Sequence, residues 1–371
     1  MTSVNQLFDI MVEMVPNANL EIFWIIAVSL PAVLVFLVMS VNALIAVYME
    51  RKVSAFMQDR LGPMEVGIFG FTGGKRFWGG IGQTLADAVK LLAKEDILPA
   101  KADKRIMIFS PFFIFLAPFL TFIGLPLYEN IVISDFNIGI LYILAISSVG
   151  VIGIILAGWS SNNKWSLYGA MRSAAQIISY EIPIALSIMA VILVVGSLRI
   201  NDIVLWQEEN RWFIFHSPFM FLAAFIYLIS VVAETNRTPF DVPEAESELV
   251  AGWMTEFSGF RWALFFLSEY ANMLIVSLVA SIVFLGGWLS PLEAIDLPFF
   301  ELPAIITNTL TNSITGPVWL LIKAAFLIFV MMWFRWTFPR LRVDQLMYLC
   351  WKVFIPGSLL IVVFVSIWEL F

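Results

Sequence analysis

The chain has 371 residues, of which 61% are hydrophobic and 13% are charged, and its formal net charge is -7. A soluble domain needs more polar residues than this to cover its surface, so the composition predicts a polytopic membrane protein. One cysteine, Cys350, and one histidine, His216, cannot supply the roughly four ligands of an iron–sulfur cluster or of a Cys/His zinc site. Any electrons must therefore be carried elsewhere, no metal site is expected, and no contiguous basic stripe suggests nucleic-acid binding.

A helix that crosses a membrane needs roughly 20 apolar residues. The chain offers eight such segments, at approximately 22–49, 106–128, 138–159, 177–198, 213–233, 262–289, 318–336 and 346–368. The first run is free of charge and is far longer than the apolar region of a signal peptide, so we interpret it as a retained spanning helix.

Lysine and arginine concentrate on one side of these spans. The connections after spans 1, 3, 5 and 7 and the adjoining helix ends carry 18 of them, whereas the opposite side carries only Arg199 and Arg211. Because basic residues favour the cytoplasmic side, both termini are predicted to lie outside. The acidic connection over 234–258 is then cytoplasmic, and the outer connection over 199–212 is predicted to be an exposed loop.

The first cytoplasmic connection, over 50–105, is long enough to contain its own helix. Over 80–95 apolar residues recur on one helical face and polar residues on the other, which predicts an amphipathic helix at the membrane surface. The polar face carries Gln83, Asp87, Lys90 and Lys94. A headgroup anchor would explain the lysines, and an ion pair with Lys90 would explain Asp87. A functional role for Asp87 stays equally open.

Four ionisable residues fall within or at the ends of predicted spans: Glu181, Glu234, Glu269 and Lys323. A charge inside a membrane is costly unless it faces a partner or a hydrated cavity, so each is a candidate functional group. Pro183 removes a backbone donor close to Glu181 and predicts a kink there. The alternative is that these charges simply pair with one another.

The stretch over 233–252 packs many charges between two apolar runs. Its acids include Asp241, Glu244, Glu246 and Glu248, and like charges on one face raise one another's pKa. A row of such carboxylates suits proton movement, whereas a solvated acidic loop is the simpler alternative.

Two long segments, 80–95 and 239–252, resemble the two signatures of one family of membrane proteins, the quinone-chamber subunit (subunit 1, or the H subunit) of respiratory complex I, the NADH:quinone oxidoreductase. Shorter matches include Glu50-Arg51-Lys52, Ala174-Ala175-Gln176, Ser179-Tyr180-Glu181, Leu267-Ser268-Glu269-Tyr270 and the stretch over 339–347. The resemblance covers essentially all eight spans. It implies an all-α fold of eight transmembrane helices with a cytoplasmic-side amphipathic helix, as a single membrane domain over 1–371, in the bacterial cytoplasmic (inner) membrane.

The resemblance also implies a function. The amphipathic helix and spans 1 and 6 would frame a tunnel for quinone, which is the substrate. The flavin and the iron–sulfur clusters would belong to partner subunits, so that this chain has no redox centre of its own. The partners would be peripheral-arm subunits at the quinone site and antiporter-like membrane subunits, and the complex would translocate protons.

The resemblance assigns roles residue by residue. The acids and the lysine that it implies for the proton path are Asp87, Glu181, Glu234, Asp241, Glu244, Glu246, Glu248 and Lys323. The arginines that it implies for the quinone chamber and its surroundings are Arg51, Arg60, Arg237 and Arg335. For Arg51, anchoring by the positive-inside rule is the simpler interpretation.

One stretch departs from the family pattern: residues 71–80 look inserted, as a glycine-hinged loop that could contact the membrane or another subunit. Three other functions stay open at this stage. They are the anchor subunit of a membrane-bound hydrogenase, an independent ion antiporter and a purely structural scaffold for a peripheral arm. The antiporter alternative would lead us to expect internal repeats, and none is found.

Overall fold

A computed structural model describes residues 20–67, 79–129, 131–242, 250–291 and 316–370, and these residues form helices without β-strands. The helices are α1 (Leu20–Met57), α2 (Gly82–Ala93), α3 (Lys104–Thr121), α4 (Gly139–Ser160), α5 (Lys164–Val195), α6 (Ile200–Glu209), α7 (Phe213–His216), α8 (Pro218–Glu234), α9 (Gly259–Phe284), α10 (Gly316–Thr337), α11 (Val343–Leu349) and α12 (Ile355–Trp368). A π-helical turn, Cys350–Phe354, joins α11 to α12 into one continuous span.

Seven helical segments in the described part of the chain are long and apolar enough to cross a membrane: α1, α3, α4, α5, α9, α10 and the joined α11–α12. The predicted class, an α-helical polytopic membrane protein, is therefore confirmed. The segment predicted as span 5 forms α8, which is apolar but has only 17 residues. Helix α8 begins at Pro218. The preceding residue, Ser217, is its N-cap, and the Ser217 hydroxyl accepts a hydrogen bond from the Met220 amide.

The first span is longer than its apolar run. The prediction ended the span at residue 49, but α1 continues to Met57. Two charged residues in this last part of the helix are buried: Glu50 and Lys52 are 6% and 1% exposed. The prediction was wrong here because the hydropathy of a segment reports its composition and cannot show that a charge has a partner inside the protein.

The fourth span also begins earlier than predicted. Helix α5 starts at Lys164 instead of residue 177, with the Asn163 side chain accepting a hydrogen bond from the Trp165 amide as its N-cap. Buried serines such as Ser166 and Ser173 lower the hydropathy of this half of the helix while packing inside the protein. The outer segment over 199–212, predicted as a loop, contains α6, whose apolar side packs on α9.

Helix α9 is the most deeply buried span, and α1 is the least buried. Helix α9 contacts α1, α2, α3 and α10, while α5 contacts α4, α8 and α12. The amphipathic helix α2 thus rests against α1 and α9 with Leu85, Val89 and Leu92 exposed on its outer face. This packing brings the C-terminal ends of α1, α8 and α10 to the N-terminal half of α9.

Candidate functional site

A buried cluster of charges joins four segments around Glu50 of α1. Arg237, which follows α8, donates from Nη1 to both Glu50 oxygens at 3.1 and 3.2 Å, and its Nη2 lies 3.1 Å from Oε1 of Glu269 on α9. Arg335 of α10 donates to Glu50 Oε1, and the Tyr270 hydroxyl donates to Oε2. The Arg237 guanidinium also lies 4.6 Å from the centre of the Tyr270 ring. Two carboxylates and two guanidiniums therefore balance in charge inside the protein.

The charge balance of this cluster depends on all four of its charged side chains. Glu50 and Arg237 are 6% and 4% exposed, so each has given up most of its hydration. Their mutual attraction offsets that loss, but removal of one partner leaves a buried charge without compensation. The cluster therefore fixes the relative positions of α1, α9, α10 and the segment after α8.

A second feature is a cavity of about 80 Å³ among α3, α4, α5, α8 and α9. The carboxylates of Glu181 on α5 and Glu234 at the end of α8 both line it, together with the polar side chains of Ser147, Thr235 and Asn272. The Oε1 atom of Glu181 is buried and accepts no hydrogen bond from the residues that the structure describes. This volume has room for several water molecules, and the polar lining could bind them.

Gln176 connects the two features. Its buried side-chain amide donates to the Ala233 carbonyl at 2.8 Å, the Phe240 carbonyl at 2.9 Å and the Asn236 side chain at 3.1 Å. The turn after α8 is thereby fastened to α5. Glu234, which lines the cavity, and Arg237, which belongs to the Glu50 cluster, both lie at that turn. Gln176 therefore fixes their positions relative to α5.

Asp87 of α2 pairs with Arg51 of α1 at 2.7 Å and with Lys90 at 3.5 Å. The predicted pair with Lys90 is thus present, but the closer partner lies on another helix. Partial burial acts to raise the pKa of the Asp87 carboxyl, yet Arg51 and Lys90 outweigh burial and lower it below its usual value. Asp87 is ionised at neutral pH and holds the amphipathic helix against α1.

Asp241, just beyond Phe240, pairs with Arg340 at 3.0 Å while its other oxygen, Oδ1, is buried without a partner among the described residues. Burial raises the pKa of this carboxyl above its usual value, despite the opposing influence of Arg340 and Arg335. Among the described residues, Asp241 is thus an acid outside the spans whose surroundings disfavour its charge.

Lys323 lies at the other end of the molecule from the charged cluster. Its ammonium donates to the carbonyls of Leu285, Gly287 and Leu289 at 2.6, 2.9 and 2.7 Å, and it lies 4.1 Å from the centre of the Trp212 ring. These carbonyls lie just beyond α9, which ends at Phe284. Among the described contacts, Lys323 therefore fastens α10 to the end of α9.

The remaining predicted site residues are not brought into one group. The Arg60 side chain is exposed and donates to Gln58 at 2.8 Å, away from the Glu50 cluster. Glu244, Glu246 and Glu248 lie outside the described residues, as does most of the stretch over 71–80. The structure thus unites Arg237 with Arg335, Arg51 with Asp87, and Glu181 with Glu234.

Three important residues were missed as site candidates by the sequence analysis. Glu50 and Tyr270 appeared only within matching motifs, and Gln176 was treated in the same way. Glu269 was noted as an intramembrane charge without a partner being identified. The useful signal for Glu50 was a carboxylate at the end of a long uncharged run, next to residues that can continue the helix.

The fold and these sites define a class: a polytopic membrane protein with ion-paired and unpaired ionisable groups at the depth of its spans, as in proteins that move ions or protons. Comparison with known proteins narrows this class. The family model described as NADH dehydrogenase matches residues 30–366, and the chain belongs to that family.

Individual relatives agree with the family match. The chain is 51% identical over 327 residues to a protein of Chlorobaculum tepidum that is named as the H subunit of NADH-quinone oxidoreductase, covering 87% of this chain and 86% of the relative. Proteins with the same name in Bacteroides fragilis and Geobacillus sp. are 47% and 46% identical, covering 86% and 95% of this chain and 84% and 96% of the relatives.

Proposed function

We propose that this chain is the membrane subunit of a proton-pumping NADH:quinone oxidoreductase that forms the quinone-access chamber and couples quinone reduction to proton translocation. The observation that carries this proposal is the cavity containing Glu181 and Glu234, fastened through Gln176 to a buried ion-paired cluster. The names of the relatives agree with it.

The topology belongs to the same proposal. Helix α8 serves as the eighth span, both termini lie outside, and the whole chain forms one domain of a bacterial cytoplasmic (inner) membrane. The two cytoplasmic connections, 50–105 and 234–258, face the peripheral arm. The distribution of basic residues supports this orientation.

The quinone approaches where α2 rests on α1 and α9. The exposed apolar face of α2 suits contact with lipid and with an isoprenoid tail, while Arg51, Arg60, Arg237 and Arg335 supply positive charge at the polar end. Flavin and iron–sulfur clusters in partner subunits supply the electrons. This chain binds and orients the quinone and carries no electron itself.

The proton path runs through the acids. It begins beside Asp87 and Asp241, continues through Glu244, Glu246 and Glu248 on the cytoplasmic connection, and enters the cavity of Glu234 and Glu181. The sequence resemblance implies Lys323 for this path as well, but its hydrogen bonds to the carbonyls after α9 favour an anchoring role. The antiporter-like membrane subunits receive the charge at the far end.

Coupling follows from electrostatics. Reduction of a quinone to a quinol takes up two electrons and two protons, and the product is neutral. Negative charge that develops on the quinone before the protons arrive acts on Arg237 and Arg335, and through them on Glu50 and Glu269. A shift of the Arg237 turn displaces Glu234, because Gln176 and the backbone connect them. The difference in proton affinity of Glu181 and Glu234 between redox states is then the coupling free energy.

The first experiment is purification through an affinity tag on this chain. We expect the flavin and iron–sulfur subunits and the antiporter-like subunits to co-purify, together with NADH:quinone reductase activity. Co-purification of a nickel–iron hydrogenase would instead favour the hydrogenase anchor. Ion exchange by the isolated chain in liposomes would overturn the assignment to a larger complex.

A second experiment separates a path from a scaffold. Glu244→Gln and Glu248→Gln variants of the assembled complex are tested for quinone reduction and for proton pumping in proteoliposomes. We expect the pumping to fall. If both activities were unchanged, the role proposed for these carboxylates would be lost and a structural scaffold would be favoured.

A further inference from the structure

Helix α5 has a backbone acceptor that its own helix cannot satisfy. Pro183 lies in the interior of α5 and has no N–H group, so the carbonyl of Ser179, four residues earlier, loses its helical partner. This carbonyl lies within the protein, where an acceptor without a hydrogen bond is costly. Its partner must come from another helix.

The partner is Cys350, the single cysteine of the chain. Its Sγ–H group donates to the Ser179 carbonyl at 3.0 Å, and the side chain is completely buried. The next residue, Trp351, donates from Nε1 to the Ser179 hydroxyl at 3.3 Å. A thiol is a weak donor that matches this site in both size and polarity.

A second hydrogen bond joins the same two spans, and here the donor is on α5. Cys350 opens the π-helical turn Cys350–Phe354, and such turns disturb the regular carbonyl ladder of a helix. The Tyr180 hydroxyl donates to the Leu346 carbonyl at 3.0 Å, and this carbonyl also accepts a hydrogen bond from the Cys350 amide. Tyr180 is completely buried, and its ring packs against Phe240 and Phe354.

Cys350 thus replaces the backbone donor that Pro183 lacks, and Tyr180 forms a second hydrogen bond between α5 and the α11–α12 span. The residue after Tyr180 is Glu181, whose carboxylate lines the cavity with Glu234. We infer that Cys350 and Tyr180 are positioning residues that fix the kink of α5 and thereby set where the Glu181 carboxylate lies in that cavity. This inference rests on the proposed role of Glu181 in the proton path.

The variants are chosen to remove one donor at a time in the assembled complex. Cys350→Ala removes the donor, Cys350→Ser keeps a donor of similar size, and Tyr180→Phe removes only the hydroxyl. Ser358→Ala is the matched control, because Ser358 is buried in the same span but donates to its own helix, to the Ile355 carbonyl at 3.0 Å.

The readouts are the number of protons pumped per quinone reduced in proteoliposomes and the pH profile of quinone reduction. We expect Cys350→Ala and Tyr180→Phe to lower the pumping ratio by about threefold and to shift the pH profile, with the amount of assembled complex little changed. Cys350→Ser should restore the ratio, and Ser358→Ala should leave it unchanged.

A merely structural role would lower assembly and both activities in proportion, with the ratio and the pH profile unchanged, and that result would overturn the inference. Glu181→Gln is measured alongside. If Glu181→Gln lowers the ratio while Cys350→Ala and Tyr180→Phe do not, the positioning role fails and the proposed function stands. If Glu181→Gln leaves the ratio unchanged, the proposed function itself fails.

Discussion

The Glu50 cluster and the Glu181–Glu234 cavity place carboxylates in two opposite settings. Glu50 accepts hydrogen bonds from Arg237, Arg335 and Tyr270. Glu181 faces a cavity with one oxygen buried and unbonded among the described residues. A carboxylate with two guanidinium partners stays ionised, whereas one beside a cavity can exchange a proton with water.

The contrast separates two roles that a list of intramembrane charges cannot distinguish. In the proposed function, the paired cluster holds the helices in place and transmits displacement, while the carboxylates of Glu181 and Glu234 at the cavity change their protonation. The simpler alternative from the sequence, that the intramembrane charges pair with one another, does not describe Glu181. Glu269 does have a charged partner, but that partner is Arg237 on the segment after α8.

The largest effect is expected from breaking the paired cluster. Glu50→Gln leaves Arg237 and Arg335 facing a neutral amide, and loss of one partner of a buried ion pair costs about 3–5 kcal/mol. We expect poor assembly of the complex on native gels, with quinone reduction and pumping lost together. Glu65→Gln is the control, since Glu65 is exposed, and it should assemble normally. Normal assembly of Glu50→Gln would show that the cluster is not structural.

A smaller effect is expected at Lys323, which fastens α10 to the residues after α9. Lys323→Met removes three hydrogen bonds from an ammonium to backbone carbonyls, and a bond to a charged group contributes about 1.5–3 kcal/mol. Thermal release of this chain from the purified complex should occur at a lower temperature, with the pumping ratio retained. Lys352→Met, also on a span but exposed, is the control. Loss of pumping at normal stability would place Lys323 on the proton path, as the sequence resemblance implies.

Glu234→Gln should have the opposite effect to Lys323→Met: pumping should fall while stability is nearly unchanged. The neutral amide fits the same cavity and removes the cost of burying a charge, so stability should change by less than about 1 kcal/mol. Proton pumping measured in proteoliposomes should nevertheless fall, since the amide cannot exchange a proton. Equal losses in stability and pumping would assign Glu234 to the structural group.

The smallest effect is expected at the membrane surface. Asp87→Asn breaks a partly exposed pair with Arg51, and such pairs contribute about 0.2–1 kcal/mol. The protection of α2 amides against hydrogen exchange should fall slightly. Because the pKa of Asp87 is lowered in the folded state, its contribution is complete above the usual aspartate pKa of about 3.9 and is lost only below it. Protection in α2, corrected for the intrinsic exchange rate, should thus be constant from neutral pH to about 5, and a fall over that range would contradict this assignment.

Much of the fold could be predicted from the sequence because of one rule: a helix that crosses a lipid bilayer needs about 20 predominantly apolar residues. The rule failed at the polar halves of α1 and α5, where Glu50, Lys52 and Ser166 are buried against the protein. It also missed α6, whose short amphipathic pattern lies between two spans. Hydropathy describes each segment alone and cannot show which partners its polar residues will meet.

The site was predictable as a set of residues but not as an arrangement. Glu181 and Glu234 were both candidates because they lie in or beside apolar runs, yet their common cavity depends on how α5 packs against α8. Arg51 and Asp87 belong to different helices, and nothing in their spacing indicates the pair. Glu50 was overlooked because its partners Arg237 and Arg335 are distant in the chain.

The most direct measurement is redox-induced infrared difference spectroscopy of the assembled complex during quinone reduction, with the unmodified protein compared with Glu181→Gln. We predict a carboxylic-acid signal that reports protonation change on reduction, shifts in heavy water and is lost in Glu181→Gln. An identical signal in the two proteins, or no carboxylic-acid signal in either, would contradict the assignment of the Glu181–Glu234 cavity to the proton path.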